Sequence, residues 1–126
     1  MKIAFVNPPI TKEELYGTLA PAGSYAPPLA LCSLAAITRK IGHETIIIDS
    51  PIEGLNHADV LNKIESYGPQ VVGITSTTST FLSAAELART IKSNNRDTIV
   101  VAGGVHISAL PKESFLKCKD IDIAVL

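Results

Sequence analysis

The sequence predicts an α/β fold, a doubly wound five-stranded parallel sheet of order 2-1-3-4-5 between two layers of helices. Two observations carry this. Five short apolar runs, residues 3–6, 46–48, 71–74, 99–102 and 121–126, punctuate the chain. The first four are nearly continuous and three are rich in β-branched residues, the pattern of strands buried on both faces. Between the runs lie stretches of helical periodicity, and strand alternating with helix implies right-handed crossovers.

The elements follow in order. The first strand is stopped by Asn7-Pro8-Pro9 and is too short for the core of a signal peptide. A twenty-residue connection then runs over residues 7–26, holding Pro8, Pro9, Gly17, Pro21 and Gly23. Connections of that length tend to be lids, binding loops or disordered segments. Pro27-Pro28 opens a helix over residues 29–41, apolar around most of its surface and closed by Gly42. After the second strand, residues 58–67 place Val60, Leu61, Ile64 and Tyr67 on one stripe, and Gly68-Pro69 ends it. After the third, residues 80–93 put Ala84, Leu87, Ala88 and Ile91 on one face, with Ser79 or Thr80 as the expected cap. A short helix starts at Pro111, a favoured first-turn residue, and carries Phe115 and Leu116. No helix follows the fifth strand. That ending is expected of a piece of a longer polypeptide, because a bare edge strand invites aggregation.

At 126 residues the chain is one domain, residues 1–126, with a core large enough to fold without disulfides or structural metal. Charged residues are 18% and the formal net charge is −1, which removes any electrostatic case for nucleic acid or an anionic membrane. No segment reaches the roughly 20 apolar residues that span a bilayer. Cys32 and Cys118 form no metal or redox spacing. They read as two reduced, mostly buried thiols of a cytoplasmic protein.

Ligands of open α/β sheets bind outside the carboxyl ends of the strands, where the strand order switches. Here that switch lies between strands 1 and 3, so the loops after strands 1, 3 and 4 are informative. After strand 3 come six hydroxyl residues, Thr75, Ser76, Thr77, Thr78, Ser79 and Thr80. Capping and turn formation do not need all six, and the excess points to a polar ligand across the strand end. After strand 4, Gly103-Gly104 allow positive φ and close backbone approach, although a simple tight turn would use them too. His106 lies beside them. It reads as a loop histidine bonded to backbone, with a metal ligand or general base as the sharper alternative, because no carboxylate or second histidine accompanies it. There is no phosphate-loop lysine motif, no Gly-x-Ser-x-Gly elbow and no His-Glu-x-x-His. The first strand lacks the acidic pair, and the third the terminal Asp, that a phosphoacceptor receiver needs for Mg2+. No catalytic or metal-ligating residue is assigned. The sheet reads as a holder of something.

Val6-Asn7-Pro8-Pro9, Pro27-Pro28 with the run to Ala36, Ile41-Gly42-His43-Glu44, Ile48-Asp49, residues 71–76 and residues 102–106, taken in order, carry a resemblance. Together they resemble the N-terminal cobalamin-binding domain of B12-dependent radical S-adenosylmethionine enzymes. The match covers essentially the whole chain; no single motif is specific. The resemblance implies a Rossmann-like, flavodoxin-like module that holds cobalamin at the carboxyl edge of its sheet. The nucleotide tail would lie base-off between the loops after strands 3 and 4. Thr75, Ser76, Thr77, Thr78 and His106 would border it, Gly103 and Gly104 would admit it, and Asn7, Pro8 and Pro9 would sit near the lower face of the corrin. The histidine-bearing Asp-x-His-x-x-Gly motif of the methionine-synthase type is absent after strand 1, which fits the radical enzymes. The resemblance also implies a C-terminal radical S-adenosylmethionine domain, with S-adenosylmethionine and a 4Fe-4S cluster, in the remainder of the parent protein, whose reaction is most often methyl transfer. The Cys-x-x-x-Cys-x-x-Cys site of such a cluster is not in these 126 residues. Two further readings remain at this stage: a cobalt-free nucleotide or small-ligand sensing domain on the same fold, and an interaction domain with an empty crevice.

Overall fold

In the computed structural model, which describes residues 1–126, five parallel strands pair in the order β2-β1-β3-β4-β5, as the sequence predicts. They are β1 (Lys2–Asn7), β2 (Glu44–Asp49), β3 (Val71–Thr75), β4 (Ile99–Gly103) and β5 (Ile123–Ala124). β1 and β3 are central. Lys2 through Asn7 pair in register with Glu44 through Asp49 on one side, and Ile3 through Val6 with Val71 through Ile74 on the other.

Strand alternation divides the core in two. On one face Ala4, Val6, Val72, Ile74 and Val100 pack with α4 (His57–Tyr67) and α5 (Phe81–Asn94) in a cluster of 18 buried residues. On the other, Ile3 and Phe5 meet Leu31 and Ala35 of α2 (Leu29–Lys40) in a cluster of four. The expectation of strands buried on both faces holds for β1 and β3 and fails toward β4 and β5 on the α2 side. α2 lies over β1 and β2, while Ile99, Ile123 and Val125 toward the β5 side remain exposed.

Three short helices were not expected. α1 (Lys12–Tyr16), followed by a 3-10 turn (Gly17–Ala22), occupies the connection after β1. Thr11 and Glu14 cap α1 reciprocally, Thr11 N–H donating to the Glu14 carboxylate and Glu14 N–H to Thr11 Oγ1. The Tyr16 hydroxyl donates to the Ser24 carbonyl and that of Tyr25 to the Ile10 carbonyl, which pins the segment down. α3 (Ser50–Glu53) follows β2, and α6 (Val105–Ala109) precedes α7 (Pro111–Lys117). No helix is long and apolar enough to cross a membrane.

The cysteines split. Cys118 is buried, and burial pushes its thiol up; Cys32 is exposed on α2, against expectation. β5 is also shorter than expected. Asp122 N–H donates to the Val100 carbonyl, and the Asp122 carboxylate accepts Val100 N–H at 2.7 Å and the Lys92 ammonium at 2.6 Å. A side chain thus takes the place of one backbone rung. Burial pushes this carboxyl up, but Lys92 and Val100 N–H outweigh it and hold it below the ordinary aspartate range. A carboxylate with a depressed folded value stabilises above its unfolded pKa of about 3.9 and loses that contribution as pH falls through the folded value. Asp122→Asn is expected to lower stability at pH 7 slightly, by well under about 1 kcal/mol because the pair is partly solvated, and to flatten the acid limb below pH 4. Urea midpoints of both proteins at pH 7 and pH 3 measure this; an equal deficit at both would rule the ion pair out as the latch.

Candidate functional site

The loops after β3 and β4 meet backbone to backbone. Thr75 pairs with Gly103 at the ends of the two strands, and Ser76 N–H donates to the Gly103 carbonyl at 2.9 Å. His106 N–H, on α6, donates to the Ser76 carbonyl at 3.3 Å. Gly104 makes this approach possible. Its φ is +102°, and a β-carbon there would lie 2.5 Å from Ser76 O and 2.9 Å from Ser76 N.

Beside this junction, on the α2 face of the sheet, lies an open groove of about 310 Å³. Thr75, Gly103 and Gly104 form its end, and Phe5, Leu34 and Val101 are among its apolar walls. Gly73 forms part of its floor, where a β-carbon would lie 2.8 Å from Phe5 Cδ1. Apolar walls closed by one hydroxyl and glycine backbone suit a flat ring with a polar edge.

The hydroxyl run divides into two parts. Thr77, Ser79 and Thr80 satisfy one another: Thr77 Oγ1 lies 3.0 Å from Ser79 Oγ and 3.2 Å from Thr80 Oγ1, and Thr77 N–H donates to Thr80 Oγ1 at 2.9 Å. The cap expected of Ser79 or Thr80 is therefore not made; α5 begins with no side-chain cap because Thr80 Oγ1 closes its own loop instead. Thr78 Oγ1 sits 3.2 Å from His106 Nδ1. Thr75 lines the groove, and Ser76 Oγ is buried with no hydrogen-bond partner at all.

His106 is not a loop residue. It is buried on α6, its ring stacked on Phe81 at 4.3 Å between centroids, and it braces the loop after β3 through Thr78. Nor does the loop after β1 reach the groove. Asn7 Nδ2 donates to Asp49 Oδ1 at 2.9 Å, Pro8 and Pro9 are buried, and the Pro9 carbonyl accepts from Ser83 Oγ. No group of three or more His, Cys, Asp or Glu side chains converges on a metal-sized site. The structure thus gathers Thr75, Ser76, Gly103 and Gly104 and sets Asn7, Pro8 and Pro9 beyond a different wall. Sequence reasoning missed Gly73 and Phe5, and a glycine inside a strand was the available signal for close approach.

Residues 17–126 match the B12 binding domain family model. An uncharacterized methyltransferase of Pyrococcus horikoshii is 36% identical over 125 residues, which are 99% of this chain and 26% of that protein. The chain thus spans about a quarter of this curated relative. Among solved structures, a cobalamin-binding protein from Desulfitobacterium hafniense superposes with a TM-score of 0.69 at 14% identity, over 98% of this chain and 51% of that one. A response regulator of Thermotoga maritima gives 0.60 at 16% identity, over 99% and 84%. A CheY-like protein of Pseudomonas aeruginosa gives 0.63 at 12% identity, over 99% and 86%. At these identities the structural likenesses establish the fold alone. At the ends of β1 and β3 this chain carries Asn7 and Thr75, neither of them acidic.

Proposed function

The chain belongs to the B12-binding domain family, and from that premise we propose that it holds cobalamin at the carboxyl edge of its sheet, base-off, with the nucleotide tail in the Thr75–Gly103–Gly104 groove. The observation that carries this reading is the groove itself. It is apolar along its length, and its end combines the Thr75 hydroxyl with the backbone of Gly103 and Gly104. The Ser76 hydroxyl, buried and unpartnered, lies outside the groove's lining.

In this reading Thr75 bonds the tail, Ser76 holds the two loops together through its backbone, and Gly103 and Gly104 keep side chains out of the tail's path. Thr77, Thr78 and His106 support the loop rather than touch the ligand. Asn7, Pro8 and Pro9 would border the corrin at the carboxyl edge of the sheet. The three histidines are His43, His57 and His106, so the loop after β1 offers no histidine to cobalt. When bound, cobalamin supplies a cobalt–carbon bond that can carry a methyl group. We further assign residues 1–126 as the cofactor module of a longer cytoplasmic enzyme. Its C-terminal partner would be a radical S-adenosylmethionine domain with a 4Fe-4S cluster, and its reaction methyl transfer; the relative described as a methyltransferase and the family resemblance support this. No nucleic-acid or membrane partner is assigned.

Titrating hydroxocobalamin with the purified chain is expected to give a saturable shift of the visible spectrum toward the base-off form. No shift at protein concentrations of several hundred micromolar, either with this chain or with one extended beyond Leu126, would overturn the assignment. A nucleotide that binds in place of cobalamin would favour a cobalt-free sensing domain.

A further inference from the structure

A second cavity, of about 680 Å³, opens at the same edge of the sheet on the α4–α5 side. We propose that it receives a primary carboxamide arm from the corrin periphery; this rests on the reading that the chain binds cobalamin. Its walls come from the ends of three strands: Pro9 after β1, Ser50 after β2, His57 at the start of α4, and Leu82, Ser83 and Glu86 at the start of α5. Neighbouring strands lie about 4.8 Å apart, so β2 to β4 spans about 14 Å. A macrocycle over that edge, with its tail in the groove at β3 and β4, would turn its periphery toward this cavity.

The wall is built in advance. Ser83 Oγ donates its only proton to the Pro9 carbonyl. The His57 Nε2 atom, 3.1 Å from both Ser83 Oγ and the Ser83 carbonyl, is therefore the donor to both. These bonds tie α4, α5 and the loop after β1 together. Ser50 is left over: it is fully buried in this wall and its hydroxyl has no partner.

The remaining polar groups are mixed. The first N–H groups of α5 have no side-chain cap and no intrahelical acceptor. Against these donors stand the Glu13 and Glu86 carboxylates. The carboxylates disfavour an anion, and the helix start and Lys12 disfavour a cation. A neutral amide, with two donors and an acceptor on one carbon, matches both sets. Corrin carries such arms around its whole rim.

Cobinamide, which has the corrin amides but no nucleotide tail, separates the two sites. Ser50→Ala is expected to weaken cobinamide and cobalamin alike, about fivefold, the effect of one hydrogen bond. The stability of the ligand-free protein should hold or rise, because an unsatisfied hydroxyl has gone. Leu82→Trp, at a 73% exposed position where folding should be unaffected, should weaken both by tenfold or more by filling the mouth. Wild-type affinity for both ligands in both variants would overturn the inference and leave the cobalamin assignment standing. Failure of the unaltered chain to bind either ligand would remove the assignment and this inference with it.

Discussion

Gly104→Val is expected to abolish measurable cobalamin binding, at least a hundredfold loss, while the chain still folds. Two costs add. A φ of +102° is a region that β-branched residues essentially avoid, with strain of about 1–3 kcal/mol. The new β-carbon would also sit 2.5 Å from Ser76 O, so the loops after β3 and β4 must part. Parting them breaks the Ser76 N–H bond to Gly103 and the His106 N–H bond to Ser76, the contacts that shape the end of the groove. Domains of this size hold about 5–15 kcal/mol, so the loss is serious but survivable. Gly42→Val is the matched control. Gly42 has a φ of +93°, an added β-carbon there meets nothing within 4 Å, and it precedes β2 at the opposite end of the sheet. It should lose only the strain part of that stability in urea and keep its cobalamin spectrum. If both variants lose binding in proportion to their stability, the groove is not the site.

The sheet was legible because its signals are local. A run such as Val71 to Ile74, bounded by Pro69 and followed by a stripe with Leu87 and Ile91, reports a buried strand and a covering helix without reference to anything distant. α1 carries a local signal as well, the one-turn capping box Thr11-Lys12-Glu13-Glu14, set within a connection whose Pro and Gly residues read as loop. Other features depend on partners far along the chain. β5 is cut short by the Asp122 carboxylate reaching Val100 and Lys92, which spacing does not reveal. His106 is buried because Phe81, 25 residues earlier, stacks on it. The hydroxyl run correctly marked the loop after β3 but overstated the free groups: Thr77, Ser79 and Thr80 close on one another, and only geometry singles out Thr75 and Ser76. The open half of the α2 face was hidden for the same reason, since hydrophobic residues at Ile99, Ile123 and Val125 read as buried until the position of α2 is known.

Gly73→Val is the second large effect, and it acts on the tail alone. Valine is at home in a strand, so the backbone of β3 tolerates it. Its side chain points into the groove floor, where the β-carbon would lie 2.8 Å from Phe5 Cδ1 and 3.0 Å from Cε1. Phe5 borders the open groove on that side, and its ring has room to yield by turning into it. Overpacking of this kind costs about 1–3 kcal/mol, partly relieved by that movement. The groove is filled twice, by the valine methyls and by the displaced ring. Cobalamin affinity should fall by tenfold or more, while cobinamide, with no tail to place, should bind as it does to the unaltered chain. Ser50→Ala produces the opposite pattern, weakening both ligands equally, so the two substitutions sort the corrin's contacts from those of its tail. Equal weakening of cobinamide by Gly73→Val would move the tail out of this groove.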